Sequence, residues 1–520
     1  MKRILLYTSL FLASYSLKAQ APSLLWENSI GGTTDDYGFF VEATADGGSI
    51  CLGSSTSPDG DMTANFGNYD VLLSKLDNAG NIQWVKNLGG TNLEEGYTVH
   101  PTIDGGYFIT GYTLSNDVNI TLNHGLKDIW VVKTNAVGTI QWQKTYGGTA
   151  DERAYYTSQT SDGGYIMAGY TESTDNDVTF NNGGADVWIV KVDSSGTLQW
   201  QKSLGGTGND YGYFISQTTD GGFIVTANSD SNDGDVTGYH GGGSDVWIVK
   251  ITSTGSIQWQ KCYGGSLMEY GTAAYSTPDG GYIFSAYTES TDGDVSSNHG
   301  EYDNWLVKLN ALGSIQWQKT YGGSRVDANY SFIKTLDKNY ILAGYTYSPD
   351  GDVTGVHLGD ADYWVMKTDT AGTLLWQTCL GGSADDEAFS ITQNADSSYV
   401  VAGLSNAVDG DVTANGGTYD CWVVHLEMLP VITAINVQQT AIVAEQATVF
   451  PNPSSGECFL KNAAVNSLIE IYDGNGKCIF QKKMEHPSEK IDLSTQPKGI
   501  YFFRLTEEHR GVRCGKISIQ

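Results

Sequence analysis

Proline is scarce in this 520-residue chain, at 10 positions, and positive charge is scarce too: 29 Lys+Arg face 59 Asp+Glu, a formal net charge of −30. So large an anionic excess excludes nucleic acid as a partner, because phosphates would be repelled, and it invites cations instead. The seven cysteines, Cys51, Cys262, Cys379, Cys421, Cys458, Cys478 and Cys514, are scattered and contain no CxxC. An odd, dispersed set is neither a disulfide framework nor a zinc site, and these side chains are expected to be small buried apolar groups. Beyond the first twenty residues no stretch approaches the ~18 uninterrupted apolar residues of a membrane-spanning helix. No GxSxG elbow, HExxH or P-loop occurs. Glycine is in excess, at 64 residues, beside 12 % aromatics. Glycine for tight turns and Tyr and Trp for pleated surfaces are the materials of short strands, and they fit neither disorder nor a coiled coil.

The N-terminus reads as an address. Lys2 and Arg3 precede an apolar run, Ile4 to Tyr15, followed by Ser16-Leu17-Lys18-Ala19-Gln20. A charged start, a short apolar stretch and a small-residue cleavage site predict a signal peptide over 1–19, too short to span a bilayer.

Internal repeats set the architecture. Tryptophans recur at Trp26, Trp84, Trp142, Trp200, Trp259, Trp317 and Trp376, spaced by 58 or 59 residues. Turn aspartates follow in register at Asp46, Asp104, Asp162, Asp220, Asp279, Asp337 and Asp396, and so does a third series, Asp70, Asp128, Asp186, Asp245, Asp303, Asp362 and Asp420. Each unit reads as four strands; in the third they are Ala154–Thr160, Tyr165–Thr171, Val187–Asp193 and Thr197–Leu204, joined by Gly-bearing turns and one long Asp-rich loop. A lone four-stranded sheet leaves both faces uncovered, so the units must stack, and radial stacking is a β-propeller. An orphan fourth-type strand, Leu24–Ile30 with Trp26, precedes the first unit, whereas no fourth strand follows Cys421–Glu427. Seven complete sets therefore exist only if Leu24–Ile30 finishes the last blade, a clasp that favours a closed seven-bladed ring over an open solenoid. Segments such as "WQKTYGGTADERAYYTSQTSDGGYIMAGYTES", Trp142 to Ser173, resemble the β-propeller repeats of exported bacterial proteins. The resemblance covers residues 24–427 and implies a fold without a single activity.

The charge changes near the C-terminus. Residues 21–447 carry 16 Lys+Arg against 51 Asp+Glu, while residues 448–520 carry 10 against 8. Residues 428–447 lack the repeat and read as a linker, and the strand-and-turn pattern of 448–520 predicts a small β-sandwich with a hairpin at Asp473-Gly474-Asn475-Gly476. This segment resembles the C-terminal sorting domain of the type IX secretion system. The resemblance rests on Pro451-Asn452-Pro453 with Gly456, Asp473 and Gly476, Asp492-Leu493-Ser494, Gly499-Ile500-Tyr501 and Lys516. It implies transfer from the periplasm across the outer membrane by that machinery, followed by release or attachment at the cell surface.

Candidate chemistry is confined to loops that one face of the ring should share. The loops entering each unit carry Asp35-Asp36, Glu94-Glu95, Asp151-Glu152, Asp210, Glu269, Asp327 and Asp385-Asp386. The long loops carry Asp-Gly-Asp or a close variant, including Asp233/Asp235 and Asp292/Asp294. Hard oxygens at i and i+2 around a glycine suit Ca²⁺, yet Asp and Gly are also the default turn formers, and no EF-hand spacing occurs. Turn capping is the expected role of these carboxylates, and Ca²⁺ at Asp233, Asp235, Asp292 and Asp294 is the alternative. A recurring slot holds His124, His240, His299 and His357, with Phe66, Asn182 and Asn415 in the other units; a Phe there argues for loop packing over catalysis. No catalytic residue stands out: the arginine clamp of a sialidase-like site is missing, since the repeats hold only Arg153 and Arg325. The expected function is a non-enzymatic exported propeller that binds a glycan or surface protein. The rival reading is a hydrolase or lyase acting on extracellular polysaccharide, which a polar residue unique to one blade and facing the central channel would favour.

Overall fold

The computed structural model describes residues 21–427 and 448–520, apart from 63, 356–357, 462, 464, 474–475 and 508–510. The expected signal peptide 1–19, the linker 428–447 and His357 lie outside the described residues. Two compact units result, Met1–Leu429 and Pro430–Gln520. All regular secondary structure among the described residues is β-strand.

The first unit is a seven-bladed β-propeller of four-stranded antiparallel blades. In the third blade Glu152–Gln159, Tyr165–Thr171, Asp186–Val192 and Leu198–Leu204 pair in that order from the centre outward. The inner strand begins two residues before its expected start because Glu152, an acid that polarity would leave in a loop, is fully buried and paired with Thr171. The two middle strands are buried along their whole length, as strands covered on both faces must be. They therefore read as near-continuous apolar runs, whereas the outer strand alternates.

The ring closes as the repeat arithmetic requires. Ser23–Ile30 pairs antiparallel with Asp420–Glu427, Leu24 opposite Leu426 and Ile30 opposite Cys421, and forms the outer strand of the seventh blade. Asp36–Ala43 of the first blade packs on Asp386–Gln393 and Tyr399–Ser405 of the last. The Trp series supplies wedges between blades. Trp26 lies against Gly80 in the first blade, where φ is +83° and an added Cβ would fall 2.6 Å from the indole. Trp84 meets Gly138 and Trp142 meets Gly196 in the same way, at 2.9 and 2.7 Å.

A second repeated fastener holds the same end of six of the blades. Lys75, Lys133, Lys191, Lys250, Lys308 and Lys367 are buried on the third strand and pair with the turn aspartates Asp46, Asp104, Asp162, Asp220, Asp279 and Asp337 at 2.7–3.0 Å. The seventh blade has His425 instead, buried beside Trp26 with neither ring nitrogen hydrogen-bonded.

The second unit packs a three-stranded sheet, Thr448–Phe450, Glu457–Lys461 and Ser488–Asp492, on a four-stranded sheet made from Leu468–Tyr472, Cys478–Lys483, Gly499–Glu507 and Gly511–Ile519. Cys458, Leu460, Ile469, Ile471, Tyr501, Leu505 and Ile517 fill the space between them. Cys51, Cys262, Cys421 and Cys458 are buried as expected of apolar side chains, but Cys478 is exposed on its strand.

Candidate functional site: an aromatic channel under an acidic face

Every inner strand carries a β-bulge at the same place, between Gly38 and Phe40 in the first blade and Ala154 and Tyr156 in the third. A bulge places two residues opposite one and turns the strand locally. Consecutive residues thereby face the centre, where simple alternation would send one away. Phe39 and Phe40, Tyr155 and Tyr156, and Tyr213 and Phe214 all line one central cavity of about 450 Å³.

The upper layer of this channel is an arcade of rings. Tyr97 lies 5.9 Å from Phe39 and 5.3 Å from Tyr155, Tyr213 is 4.9 Å from Tyr155, and Phe389 is 5.6 Å from Phe39 and 5.1 Å from Tyr330. The series breaks once, at Thr272 of the fifth blade. There Asn329 Nδ2 donates to Asn304 Oδ1 at 2.6 Å, Thr272 Oγ1 bonds Asn329 Oδ1 at 2.9 Å, and Gly271 N–H donates to Asn228 Oδ1 at 2.8 Å. Thr272 and Asn228 line the cavity, so the channel does have one polar notch that the sevenfold repeat does not share. Arg153 is a second singular feature, at the mouth: its guanidinium lies 4.7 Å from the Tyr112 ring and 5.9 Å from Tyr170.

Above the channel the two loop series interlock. Asp233 accepts the Thr207 N–H at 2.7 Å and its hydroxyl at 2.9 Å, and the Asp235 N–H donates to Gly205 O at 2.9 Å. In the next blade Asp292 accepts the Ser266 N–H at 2.7 Å, the Asp294 N–H donates to Gly264 O at 2.8 Å, and His240 Nε2 lies 3.7 Å from Asp294 Oδ2. Each long loop thus caps the turn entering its own blade. Among the described residues no group of three or more His, Cys, Asp or Glu is arranged around one metal position.

Half of the expected acidic face is not on the face. Asp36, Glu94, Glu152, Asp210, Glu269, Asp327 and Asp386 begin the inner strands with no exposed surface, and Asp70, Asp128, Asp186, Asp245 and Asp303, which begin third strands, are equally buried. The two sets meet around the first glycine of each Gly-Gly turn. At Gly205 an added Cβ would lie 2.6 Å from Asp186 Oδ1 and 2.7 Å from Asp210 Oδ2. Burial, then the neighbouring carboxylates, pushes Asp186 up to about 6, and burial pushes Asp386 up to about 7.

The histidine slot is a packing position. The Nδ1 atoms of His124, His240 and His299 lie 2.5–2.7 Å from the buried Asp128, Asp245 and Asp303, whose carboxylates also accept the same residues' N–H groups. Phe66 and Asn182 donate the same backbone bond to Asp70 and Asp186. In the last two blades the expected slot residues stand one position too early: Leu358 and Gly416, four residues before Asp362 and Asp420 as in the other blades except that of His240, make this bond. Asn415 belongs to a different series, since its amide donates to Ser405 O as Asn181 does to Thr171 O.

In the C-terminal unit the expected motif residues are fasteners. Asn452 Nδ2 donates to Lys516 O and its Oδ1 accepts the Ser518 N–H, tying the Pro451–Pro453 segment to the last strand. Gly456, at φ +109°, approaches Ser494 so closely that a Cβ would lie 2.6 Å from its Cα. Asp473 Oδ1 accepts the Lys477 N–H and the Gly476 N–H donates to Asp473 O, closing the hairpin. Asp492 accepts the Ser494 N–H, and the Tyr501 hydroxyl, on the strand that Gly499 opens, donates to Pro497 O.

Comparison with known proteins bears on both units. Residues 448–520 match the family model described as the secretion system C-terminal sorting domain. The regulatory protein FlaEY of Caulobacter vibrioides is 24 % identical over 403 residues, covering 74 % of this chain; the chain spans 38 % of that relative's length. Among solved structures, a protein of unknown function from Dyadobacter fermentans is 12 % identical over 78 % of this chain and 99 % of its own, with a TM-score of 0.41. PorZ, a surface component of the type IX secretion system of Porphyromonas gingivalis, is 10 % identical over 93 % of this chain and 81 % of its own, with a TM-score of 0.25. Likenesses at these scores add nothing to the fold already described. No helix among the described residues is long and apolar enough to cross a membrane. The matched segment and its geometry together identify the C-terminal unit as a type IX secretion sorting domain, which marks this propeller for export to the cell surface or the medium.

Proposed function

We propose that the protein is a non-enzymatic binding module, delivered by the type IX machinery, that engages a surface glycan or protein at the mouth of its aromatic channel. The observation that carries this reading is the near-continuous ring of aromatic faces around a cavity of about 450 Å³. Stacked Tyr and Phe offer large, rigid contact area at low entropic cost, with hydroxyls to orient what they hold. The rival reading, a polysaccharide hydrolase or lyase, draws its support from the polar notch at Thr272. General acid–base cleavage of a glycosidic bond needs a titratable carboxyl or its equivalent at the reacting centre. The cavity lining offers hydroxyls and amides, with no Asp, Glu or His.

The test is a screen of the full chain against glycans and surface-protein fractions, repeated with Tyr155→Ala. Binding that the substitution weakens at least tenfold, without release of sugar fragments, is the expected result. Fragment release by the wild-type protein would move the assignment to the enzyme. Export is tested by removing residues 448–520, which should leave the propeller in the periplasm; truncated protein at the surface or in the medium at normal levels would overturn that part.

A further inference from the structure

Glu387 is the second residue of the inner strand of the seventh blade, and it borders a pocket of about 310 Å³ with Tyr37, Phe39, Leu404 and Tyr419. The pocket adjoins the central channel, because Phe39 lines both. Burial is the main influence on the Glu387 carboxyl and the Asp385 charge the next; no hydrogen bond or cation among the described residues offsets them. A half-buried carboxylate in an aromatic wall is costly without a counter-charge.

The same strand position elsewhere in the ring shows what such a surround accommodates. Glu95 holds it in the second blade and Arg153 in the third. There the Tyr97 hydroxyl donates to Glu95 at 2.7 Å, the Arg153 guanidinium stacks over Tyr112 and Tyr170, and the Lys127 ammonium lies 5.5 Å from the Tyr112 ring. The glutamate of that sector thus has two cations of the chain within its aromatic surround. In the seventh-blade sector the corresponding places are tyrosine: Tyr419, just ahead of the third strand, stands where Lys127 does, and Tyr37 of the next blade stands where Arg153 does. The Tyr37 and Tyr419 centroids are 5.9 Å apart and those of Tyr37 and Phe39 also 5.9 Å. The carboxylate and the rings remain, while no cation among the described residues stands beside Glu387.

We propose that the Glu387 pocket receives a cationic side chain, an ammonium or guanidinium, from a basic segment of a partner protein, with Glu387 as counter-ion and Tyr37, Phe39 and Tyr419 as its cation–π walls. This deepens the binding-module reading and rests on it. A cation over Tyr or Phe gains from the ring quadrupole, and the acidic excess of the propeller draws basic segments towards the mouth.

The probes are the peptide acetyl-Gly-Arg-Gly-amide, its citrulline counterpart, which keeps shape and carries no charge, and a neutral oligosaccharide mixture. Each is titrated into the full chain at low salt and followed by tyrosine fluorescence and calorimetry. The arginyl peptide is expected to bind at least tenfold tighter than the citrulline peptide, and Glu387→Gln to abolish that preference. Tyr419→Leu, which keeps an apolar wall and removes the π face, should weaken it several-fold; both variants are first shown to melt as the wild type does. Equal binding of the two peptides, or a preference that survives Glu387→Gln, would overturn the proposal. A channel ligand found in the wider screen and lost in Tyr155→Ala, yet indifferent to Glu387→Gln, would sink this inference alone, whereas no ligand in either assay would sink the binding reading with it.

Discussion

One residue in the ring departs from a rule the other six blades keep. His425 occupies the place of Lys75 and its five counterparts, but an imidazole is shorter than a lysine, and no ion pair joins it to Asp396. Burial holds its pKa below the usual value for histidine. The depressed base binds fewer protons folded than unfolded, so its contribution is unfavourable as pH falls below ~6.5 and vanishes above that value. His425→Lys is therefore expected to stabilise the propeller by up to about 1 kcal/mol at pH 8, where the new pair is half-exposed, and by more at pH 5. Denaturant unfolding at both pH values checks this, and an equal or opposite effect at pH 5 would refute it. Asp233, Asp235, Asp292 and Asp294 cap turns, with oxygens and N–H groups that already satisfy Thr207, Gly205, Ser266 and Gly264. Millimolar Ca²⁺ should raise the melting temperature no more than a monovalent salt of matched ionic strength. A Ca²⁺-specific gain that Asp235→Asn and Asp294→Asn both diminish would make these loops metal sites instead.

At the scale of the strand, the clasp Ser23–Ile30 does two jobs at once. It covers the edge of Asp420–Glu427, and Trp422 Nε1 donates to Glu27 Oε2 at 2.9 Å, as Trp188 does to Gln201 in the third blade. It also presents Trp26 to the first blade, where Trp26 Nε1 donates to Asn78 O at 3.1 Å. Deleting residues 23–30 removes both the edge cover and the wedge, so the whole array, and not the seventh blade alone, should unfold at lower denaturant. Gly80→Ala tests the wedge by itself, because the methyl group meets the Trp26 ring at a positive φ; a loss of about 1–3 kcal/mol is expected. A deletion variant that melts like the full chain would show that the ring does not depend on its clasp. The clasp was legible in the sequence because Trp and Gly-Gly recur at fixed spacing, and spacing survives whatever the loops do. Loop registers were not. The residue that bonds the buried Asp stands four positions before it in Phe66, His124, Asn182, His299, Leu358 and Gly416 and five before it in His240, and side chains as different as His, Phe, Leu and Gly disguise that spacing. The inner-strand bulge was equally hidden, since Phe39-Phe40 and Tyr155-Tyr156 look like broken alternation until the extra residue is seen.

For the whole molecule, charge burial decides how the propeller answers to pH. Composition alone suggests a repulsive acidic shell, yet carboxylate pairs such as Asp186 with Asp210 and Asp362 with Asp386 lie inside the junctions between blades. Burial pushes Asp70, Asp186, Asp327 and Asp420 up to about 6, and Asp386 up to about 7. A raised acid binds more protons folded than unfolded, so its stabilisation is complete below the unfolded value near 3.8 and is lost as pH rises through 6 to 7. The turn aspartates act in the opposite sense. Hydrogen bonds from Thr102, Thr160 and Thr277, with the lysines behind them, hold Asp104, Asp162 and Asp279 near 2, so their contribution is present above 3.8 and is lost only as pH falls towards 2. His425 works weakly against acidification, as one group against many. The propeller should therefore be most stable near pH 4 and should melt several degrees lower at pH 8, at roughly 2–4 °C for each kcal/mol in a domain of about 150–250 residues and less in a larger one. Asp386→Asn removes the most strongly raised member and one charge of its pair, so it should flatten the decline between about pH 4 and 7 while leaving the acid limb near pH 3 in place. Scanning calorimetry of the full chain at low protein concentration, at intervals from pH 3 to pH 8, separates these limbs. Stability that climbs steadily from pH 5 to pH 8, in the wild type and in Asp386→Asn alike, would mean that the junction carboxylates are ionised in the folded ring and that the blades are held apart from them by water.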